Sequence, residues 1–380
     1  MKIHLKLLPC LAIVLALTAA SSMAADTPAP ARVNAPIISP DIHPDRTVTF
    51  HVHAPGATNV SVAGEWQSGA TQLTNDQGNW SATIGPVAPD LYSYSIVVDG
   101  FRAIDAANSA IKPMRFPNNS VLDVRGEQPS LQDFQNVPHG TVRVHEYFSK
   151  SIGRLRTVRV YTPPGYDRNT RQKFPVLYLF HGSGDNEATW TEFGHAHLIT
   201  DNLLAQGKIK PMLIVMPEGH AYLGQPAGTN SEARNRNITL FEEDLLKDVM
   251  PLLEDNYRLK SGGENRAIVG LSMGGGQSLA IGLKHPDMFA YVGGMSSGMR
   301  NPITTYAGLF KDSKSINKQL KLLWISCGKS DQLMEPNREF DRLLTGHGIK
   351  HQFIEVEGAH QWRVWRRNLA DFEPLLFQTN

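Results

Sequence analysis

Cysteine is nearly missing from this chain: there are two among 380 residues, Cys10 and Cys327. A scaffold stapled by several disulfides is therefore excluded. Surplus charge is missing as well, with 37 Lys and Arg against 36 Asp and Glu. No basic excess exists to displace counterions from phosphates, which excludes charge-driven nucleic-acid binding. Glycine and proline, at 32 and 24, stay below the bias of collagen-like or low-complexity chains. Long apolar runs are scarce. The longest near the start, Leu7 to Leu17, is shorter than the roughly 20 residues a membrane-spanning helix needs. What is present is a hydrophobic fraction of 41%, ample for sizeable cores and too high for a largely disordered chain. At about 100–200 residues per domain, the length suggests two domains.

Lys2 and Lys6 precede that apolar run, and Ser22, Met23, Ala24 and Ala25 follow it. A basic start, a short apolar core and small residues for cleavage make residues 1–25 an expected signal peptide. The mature protein is then exported, periplasmic or secreted. Cleavage removes Cys10 and leaves Cys327 without an intrachain partner.

Residues 26–40, rich in Pro and Ala, read as a flexible lead-in. From Thr47 the pattern has period two: Val48, Phe50 and Val52; Val60 and Val62; Trp80, Ala82 and Ile84; Tyr92, Tyr94, Ile96 and Val98. Turn signals such as Pro55-Gly56, Gln77-Gly78 and Asp99-Gly100 separate the runs. Short alternating strands at this spacing predict a small β-sandwich over 36–125. Residues 126–140, with Pro129 and Pro138-His139-Gly140, have no sustained period and are expected to be a linker. From residue 141 the rhythm changes. Apolar β-rich runs at 156–161, 175–180, 212–216, 266–270, 291–295, 320–326 and 352–356 alternate with helical segments. In the clearest of these, 242–256, Leu245, Val249, Leu252 and Leu253 share one face. Continuously apolar strands are covered on both faces. The expectation for 141–380 is an α/β domain around a mostly parallel sheet.

Within it, the strand Arg266-Ala267-Ile268-Val269 runs into Gly270-Leu271-Ser272-Met273-Gly274, and a helical segment follows. This is G-x-S-x-G in its required strand–turn–helix context. The turn lifts Ser272 out of the sheet, with glycines at 270 and 274 letting strand and helix pass closely. It also puts the Met273 amide at a helix N-terminus, ready for a developing oxyanion. A serine hydroxyl needs a base, and the base an orienting acid, in the order Ser, Asp or Glu, His. Asp331 lies in the loop after the strand 320–326, and His360 in the loop after 352–356. Both fall at the carboxyl edge of the sheet, where such sites are built. The rivals are weaker: His285 ends a helix, His347 sits in a Gly-His-Gly turn, His351 opens a strand, Glu335 begins a helix and Glu355 lies mid-strand. A second oxyanion amide is expected from the turn after 175–180, in His181-Gly182-Ser183-Gly184, at Ser183. His181, upstream of the nucleophile, reads as structural.

Other signals carry less. Gly328-Lys329-Ser330 lacks the earlier glycine of a phosphate loop, since Leu323 stands there. His195 and His197 have no third ligand at metal spacing. Arg363, Arg366 and Arg367 read as a solvated helix face.

These pieces resemble a known group. Residues 141–377 resemble the esterase-D-like α/β-hydrolases, which include the carbohydrate esterase family 1 feruloyl esterases. The matching residues are Val160-Tyr161-Thr162-Pro163-Pro164-Gly165-Tyr166, His181-Gly182-Ser183-Gly184-Asp185 with Trp190, Met216-Pro217-Glu218-Gly219-His220, the Gly270-to-Gly275 elbow, Gly328 to Asp331, and Gly358-Ala359-His360-Gln361-Trp362. The resemblance implies an α/β-hydrolase fold, a triad of Ser272, Asp331 and His360, and oxyanion amides from Ser183 and Met273. It also implies Trp190 near the pocket mouth, and no cofactor. The first domain resembles the immunoglobulin-like family 48 carbohydrate-binding modules through Ala54-Pro55-Gly56-Ala57, Val62-Ala63-Gly64-Glu65-Trp66, Gly78-Asn79-Trp80 and Leu91-Tyr92-Ser93-Tyr94. Asp90 stands there where a turn glycine is usual. Trp66 reads either as a sugar-stacking platform or as a packed interdomain tryptophan.

The expected activity is hydrolysis of feruloyl esters of plant cell-wall polysaccharide. A siderophore lactone or an acetylated xylan is the alternative substrate, acyl transfer the alternative reaction and a silent glycan-binding protein the alternative class. The partners expected are an ester substrate and a glycan for the first domain, with no nucleic acid or membrane. The loops 183–195, 218–240 and 296–310 are expected to reach the site. They carry Trp190, Phe193, Tyr222, Leu223, Met299, Tyr306 and Phe310 against Arg234, Arg236 and Arg300, a balance that favours an aromatic ester over an anionic one. Trp190, Tyr222 and Tyr306 are the expected substrate contacts.

Overall fold

The apolar runs of the second half form eight strands: β1 (Thr141–Ser149), β2 (Arg154–Thr162), β3 (Val176–Phe180), β4 (Leu213–Pro217), β5 (Arg266–Gly270), β6 (Tyr291–Met295), β7 (Leu322–Gly328) and β8 (Gln352–Val356). They make one sheet in the order β1-β2-β4-β3-β5-β6-β7-β8. The pairs β1–β2 and β2–β4 are antiparallel, and the remaining six strands run parallel. Every residue of β3, β4 and β6 is buried, as continuous apolar strands require. Helices α1 (Ala196–Ala205) and α5 (Trp362–Phe372) cover one face, through Ile199, Leu203, Trp362, Trp365 and Leu369. The other face is covered by α2 (Ser231–Asp244), continued through a π-turn to Asn256, with α3 (Met273–Lys284) and α4 (Met334–Gly346). Phe241, Leu245, Val249, Leu253, Leu279 and Phe340 bury there. Each such side chain contributes roughly 1.5–3 kcal/mol by leaving water. Strand β1 escapes the sequence pattern because its apolar residues fall on both faces, Val144 and Phe148 exposed and Tyr147 buried.

This computed structural model describes residues 37–222, 231–299 and 302–378, which belong to one compact unit. The expected signal peptide, residues 1–25, lies outside them, as do Leu223 and Arg300. No helix among the described residues is long and apolar enough to cross a membrane.

The N-terminal region is β-rich, as its period-two pattern predicts. One sheet pairs Val48–His53 with Asn79–Ile84, and a second is built on Asp90–Val98 with Val60–Gly64 and Ser120–Val124 against it. All their pairings are antiparallel, and Phe50, Val62, Tyr92, Tyr94 and Leu122 fill the space between. Trp66 is half-buried and stacks on Phe50 at 5.5 Å with a 21° interplanar angle. Its ring partners, Phe50, Tyr92 and Tyr94, all belong to the sandwich, so it packs within that region and not between the two.

Two expectations about the join change. The segment 126–140 is fastened, not loose: Leu131 O and Asp133 O accept from Asn202 Nδ2 at 2.7 and 2.9 Å, and Asp201 takes His139 Nδ1 at 2.9 Å and Gly140 N at 3.0 Å. Nor are the arginines of α5 all solvated, since Arg367 is exposed and Arg363 half-buried but Arg366 is interior. Arg366 is 2% exposed, and its guanidinium donates to Asp90 Oδ1 at 2.8 Å, Leu91 O at 2.6 Å and Phe193 O at 3.0 Å. The departure at Asp90 has its physical reason in that pair, which joins the sandwich to the helix after His360.

Candidate active site

Ser272 sits between β5 and α3 with φ 52° and ψ −111°, a left-handed conformation that a non-glycine residue adopts only under constraint. The constraint is visible. Ser272 N–H donates to Met295 O at 2.8 Å, and Ser272 O accepts from Gly276 N at 3.1 Å and Gly298 N at 2.9 Å. A Cβ on Gly270 would lie 2.4 Å from the Gly274 backbone, and one on Gly274 would lie 2.5 Å from His181 O. Any side chain at either position would force strand and helix apart, so the turn tolerates only glycine there.

Asp331 and His360 reach Ser272 from the loops after β7 and β8. Ser272 Oγ–H faces His360 Nε2 at 3.0 Å, and His360 Nδ1–H faces Asp331 Oδ2 at 2.9 Å and Oδ1 at 3.1 Å. With its Nδ1 proton on Asp331, the ring turns a lone pair toward the serine. Burial raises the Asp331 carboxyl, but hydrogen bonds from His360, the Leu333 amide and Ser296 outweigh it and hold the group below the ordinary carboxylate range. The ring is also packed edge-on against Trp365 at 4.9 Å. The rivals lie elsewhere: His285 pairs with Glu242, His351 with Asp341, Glu355 with Arg338 and Glu335 with Arg342, and His347 stacks on Phe310.

Around the serine, Met273 opens α3, so its amide is among those a helix leaves without an intrahelical acceptor. The turn carrying Ser183 lies alongside. A Cβ on Gly182 would stand 3.6 Å from Ser272 Cβ, and Ser183 itself is exposed. His181 steadies this turn, as its structural reading expects: Nδ1–H donates to Gly182 O, and Nε2 accepts from Gly219 N–H, both at 2.8 Å.

His181, Glu218 and His220 bring ligand-type atoms within 4.8 Å of one another. Their hydrogen bonds oppose a metal. The His181 Nε2 lone pair holds Gly219 N–H, while Glu218 Oε1 accepts from His220 N at 2.7 Å and His220 Nδ1 at 2.6 Å. Burial would raise the Glu218 carboxyl, but the two imidazoles hold it well below its ordinary range. The cluster is a polar brace under the turn.

The expected substrate contacts fare less well. Trp190 is 1% exposed, packs against Trp362 at 4.9 Å, and gives its indole N–H to Phe180 O at 3.0 Å. It belongs to the core beneath the site and not to a pocket mouth. Phe193 is interior too, whereas Tyr306, packed on Phe340 at 4.8 Å, and Met299 line a small cavity of about 60 Å³ beside Gly276 and Gly298, whose amides hold Ser272 O. Apolar residues close to a catalytic loop were drawn inward by the cores on each sheet face. Tyr222 remains half-buried after the 218–220 segment, with Arg236 over its ring at 4.9 Å.

Sequence reasoning passed over Ser296. It lies just past β6 with φ 47°, fully buried, and its Oγ accepts from Trp365 Nε1–H at 3.1 Å. Cys327 faces the same hydroxyl at 4.0 Å, and burial pushes its thiol up to about 12. The signal available was position alone, directly after a strand at the carboxyl edge. A cavity of about 810 Å³ is lined by Pro175, Pro211, Asn265 and Lys321, which precede strands. It therefore opens at the opposite edge of the sheet.

Comparison with known proteins agrees with this geometry. The sequence model of the Esterase family matches residues 149–376. An endo-1,4-beta-xylanase/feruloyl esterase from Xylanibacter ruminicola is 32% identical over 89% of this chain and 46% of its own length. Esterase Rv1288 of Mycobacterium tuberculosis is 26% identical over 58% of this chain and 55% of its own. The chain thus spans about half the length of these curated relatives. Among solved structures, a CE1 ferulic acid esterase from Anaeromyces mucronatus, in complex with ferulic acid, superimposes with a TM-score of 0.58 at 26% identity, over 64% of this chain and 93% of that one. The enterobactin esterase of Shigella flexneri gives 0.64 at 15% identity over 86% and 92%, a likeness of fold. From the end of the first edge strand through the last helix, with the serine elbow and its histidine and aspartate inside the matched span, this chain belongs to the esterase family.

Proposed function

We propose that this protein is a serine esterase that hydrolyses feruloyl and related hydroxycinnamoyl esters of plant cell-wall polysaccharide or oligosaccharide. The observation that carries the chemistry is the line from Ser272 Oγ through His360 to Asp331, at 3.0 and 2.9 Å. In this reading His360 takes the proton as Ser272 attacks the ester carbonyl, and the Ser183 and Met273 amides receive the oxyanion. His360 then returns the proton to the leaving alcohol. Water enters by the same route and releases the ferulate from the acyl-enzyme. Asp331 keeps the Nδ1–H tautomer and offsets the imidazolium charge.

The substrate class is supported by the Xylanibacter relative, whose name joins xylanase to feruloyl esterase, and by the ferulic-acid-bound fold relative. The reading includes export through residues 1–25. It also divides the chain into a 36–125 immunoglobulin-like domain akin to carbohydrate-binding modules, a connection at 126–140 and an esterase domain at 141–380. Two antiparallel sheets around an aromatic core support the immunoglobulin-like part.

The test is assay of the purified protein on methyl ferulate, feruloylated arabinoxylan oligosaccharide, acetylated xylan and enterobactin. Ferulate release with weak salt dependence is expected, because a neutral aromatic ester needs little charge steering. Efficient cleavage of enterobactin with negligible ferulate release would overturn the substrate and leave the serine mechanism standing.

A further inference from the structure

Ser183 stands between Gly182 and Gly184, and Gly184 has φ +90°. Glycines do not hold their own dihedrals. An oxyanion donor, however, must sit within about 2.7–3.1 Å of the developing charge. The rigidity of this turn must come from what surrounds it. His181 holds it from inside the α/β domain. The other support comes from the sandwich.

Lys112 is 7% exposed, and its Nζ lies 2.8 Å from Asp185 Oδ1, with both side chains under a tenth exposed. Asp185 closes the turn through N–H to Gly182 O at 3.3 Å, and its Oδ2 lies 3.3 Å from where a Gly182 Cβ would be. The backbone around Lys112 adds two bonds. Arg115 N–H donates to Gly184 O at 2.8 Å, and Pro113 O accepts from Thr189 Oγ1 at 2.7 Å. The ammonium also stands over the rings of Phe193 at 5.3 Å and Trp362 at 5.6 Å. Three contacts from 112–115 therefore meet the 184–189 side of the turn, next to the Ser183 amide.

We propose that Lys112 is a positioning residue: the sandwich, through the Lys112–Asp185 ion pair, sets the oxyanion turn of the esterase site. This rests on the Ser183 amide acting as an oxyanion donor. It makes the N-terminal region part of the catalytic unit and not a detachable module. A displacement of the amide by about 1 Å costs on the order of 10²-fold in rate. The loss falls on the transition state, because the ground-state ester does not need the tightened bond.

The test measures kcat and KM for 4-nitrophenyl acetate in the full chain carrying Lys112→Met, Lys112→Arg or the double change Lys112→Met/Asp185→Leu. Lys112→Met should lower kcat about 10–100-fold with KM within about twofold, and Lys112→Arg should lie closer to the parent. The double variant removes both charges, so it should regain folding stability without regaining kcat. Asp90→Asn weakens the sandwich contact away from the turn and should keep kcat. A folded Lys112→Met or double variant with parental kcat overturns the proposal. Failure of both to fold also overturns it, since the pair is then only a staple of the interface. Ser272→Ala, measured alongside, separates the two readings. Activity surviving there removes the serine site itself, whereas a dead Ser272→Ala beside a fully active Lys112→Met removes only the positioning role.

Discussion

The sandwich and the eight-stranded sheet bury apolar surface with different rhythms. In the strand Ser120–Val124 buried residues alternate with half-buried ones, whereas in β3 and β4 every residue is interior. One face of a sandwich strand meets the core, while both faces of a central parallel strand are covered by helices. Each region buries a few charges of its own, Asp105 in the sandwich and the Arg156–Asp244 pair in the α/β region, and where the two regions meet Lys112, Asp185 and Arg366 are buried as well, each in an ion pair. The join is a third environment, in which charges left without their partner are costly.

Removing one region is the strongest way to break the comparison. A chain starting near Asn136 leaves Asp185 without Lys112, and Arg366 without Asp90 and the Leu91 carbonyl. It also strips Leu91 from the core it shares with Trp190 and Trp362. Asp185 and Arg366 become solvated instead of paired, so the loss falls on the apolar surface and the oriented contacts that the sandwich supplied. The expected outcome is no soluble, active fragment. A soluble fragment with parental turnover of a small ester would show that the α/β region stands alone.

Within the α/β region the largest point effect falls on the nucleophile. Ser272→Ala should lose on the order of 10⁴ to 10⁶ in kcat with the fold intact, because serine and base act as a unit. Asp331→Asn should cost about 10⁴ by releasing the wrong His360 tautomer. Glu355→Gln, which breaks only the exposed pair with Arg338, should change the rate less than about twofold. Circular dichroism with steady-state kinetics on all three checks the set, and reversal of the two acids would move the orienting group to β8.

How much was legible follows from these environments. The elbow, Asp331 and His360 could be read because each combines a residue type with a position just past a strand. Strands with one rhythm could be read as well. Strand β1 could not, because its apolar residues face both ways at an edge. Trp190 was misplaced because sequence position near a loop does not say whether a large ring points into the cleft or the core. Arg366 was misread as solvated, and Lys112 drew no attention, since neither carries its partner nearby in sequence. Asp90 is 276 residues from Arg366, and no local pattern spans that gap.

A smaller effect tests whether the join is as stringent as its burial implies. Asp90→Asn keeps the shape of the side chain and removes its charge, leaving Arg366 on the Leu91 and Phe193 carbonyls. The Asp90 side chain is 18% exposed, so the loss should sit at the low end for a buried pair, about 3 kcal/mol. Urea denaturation should show it as a lower midpoint at unchanged slope. A midpoint within experimental error of the parent would mean that water replaces the carboxylate, and that the join tolerates an unpaired arginine.

The smallest effect contrasts these paired charges with an acid that has no cation. Glu373 is fully buried after α5, accepts from Thr200 Oγ1 at 2.8 Å, and has its carboxyl pushed up to about 8, by burial first and then by Asp201. Its ordinary value in the unfolded chain is about 4.3. The folded state therefore binds the proton more tightly than the unfolded one. Below pH 4 both states are protonated and the group is neutral in the balance. As pH rises from about 4.3 toward 8 the unfolded chain gains by ionising, and stability falls. Glu373→Gln removes that slope. The variant should match the parent near pH 4 and exceed it by a margin that grows toward pH 8, read as a growing difference in Tm across that window. A constant difference between pH 5 and 8 would show that Glu373 ionises normally in the fold. The buried neighbourhood of Asp201 would then accept a bare carboxylate, unlike the join, where each buried charge has its partner.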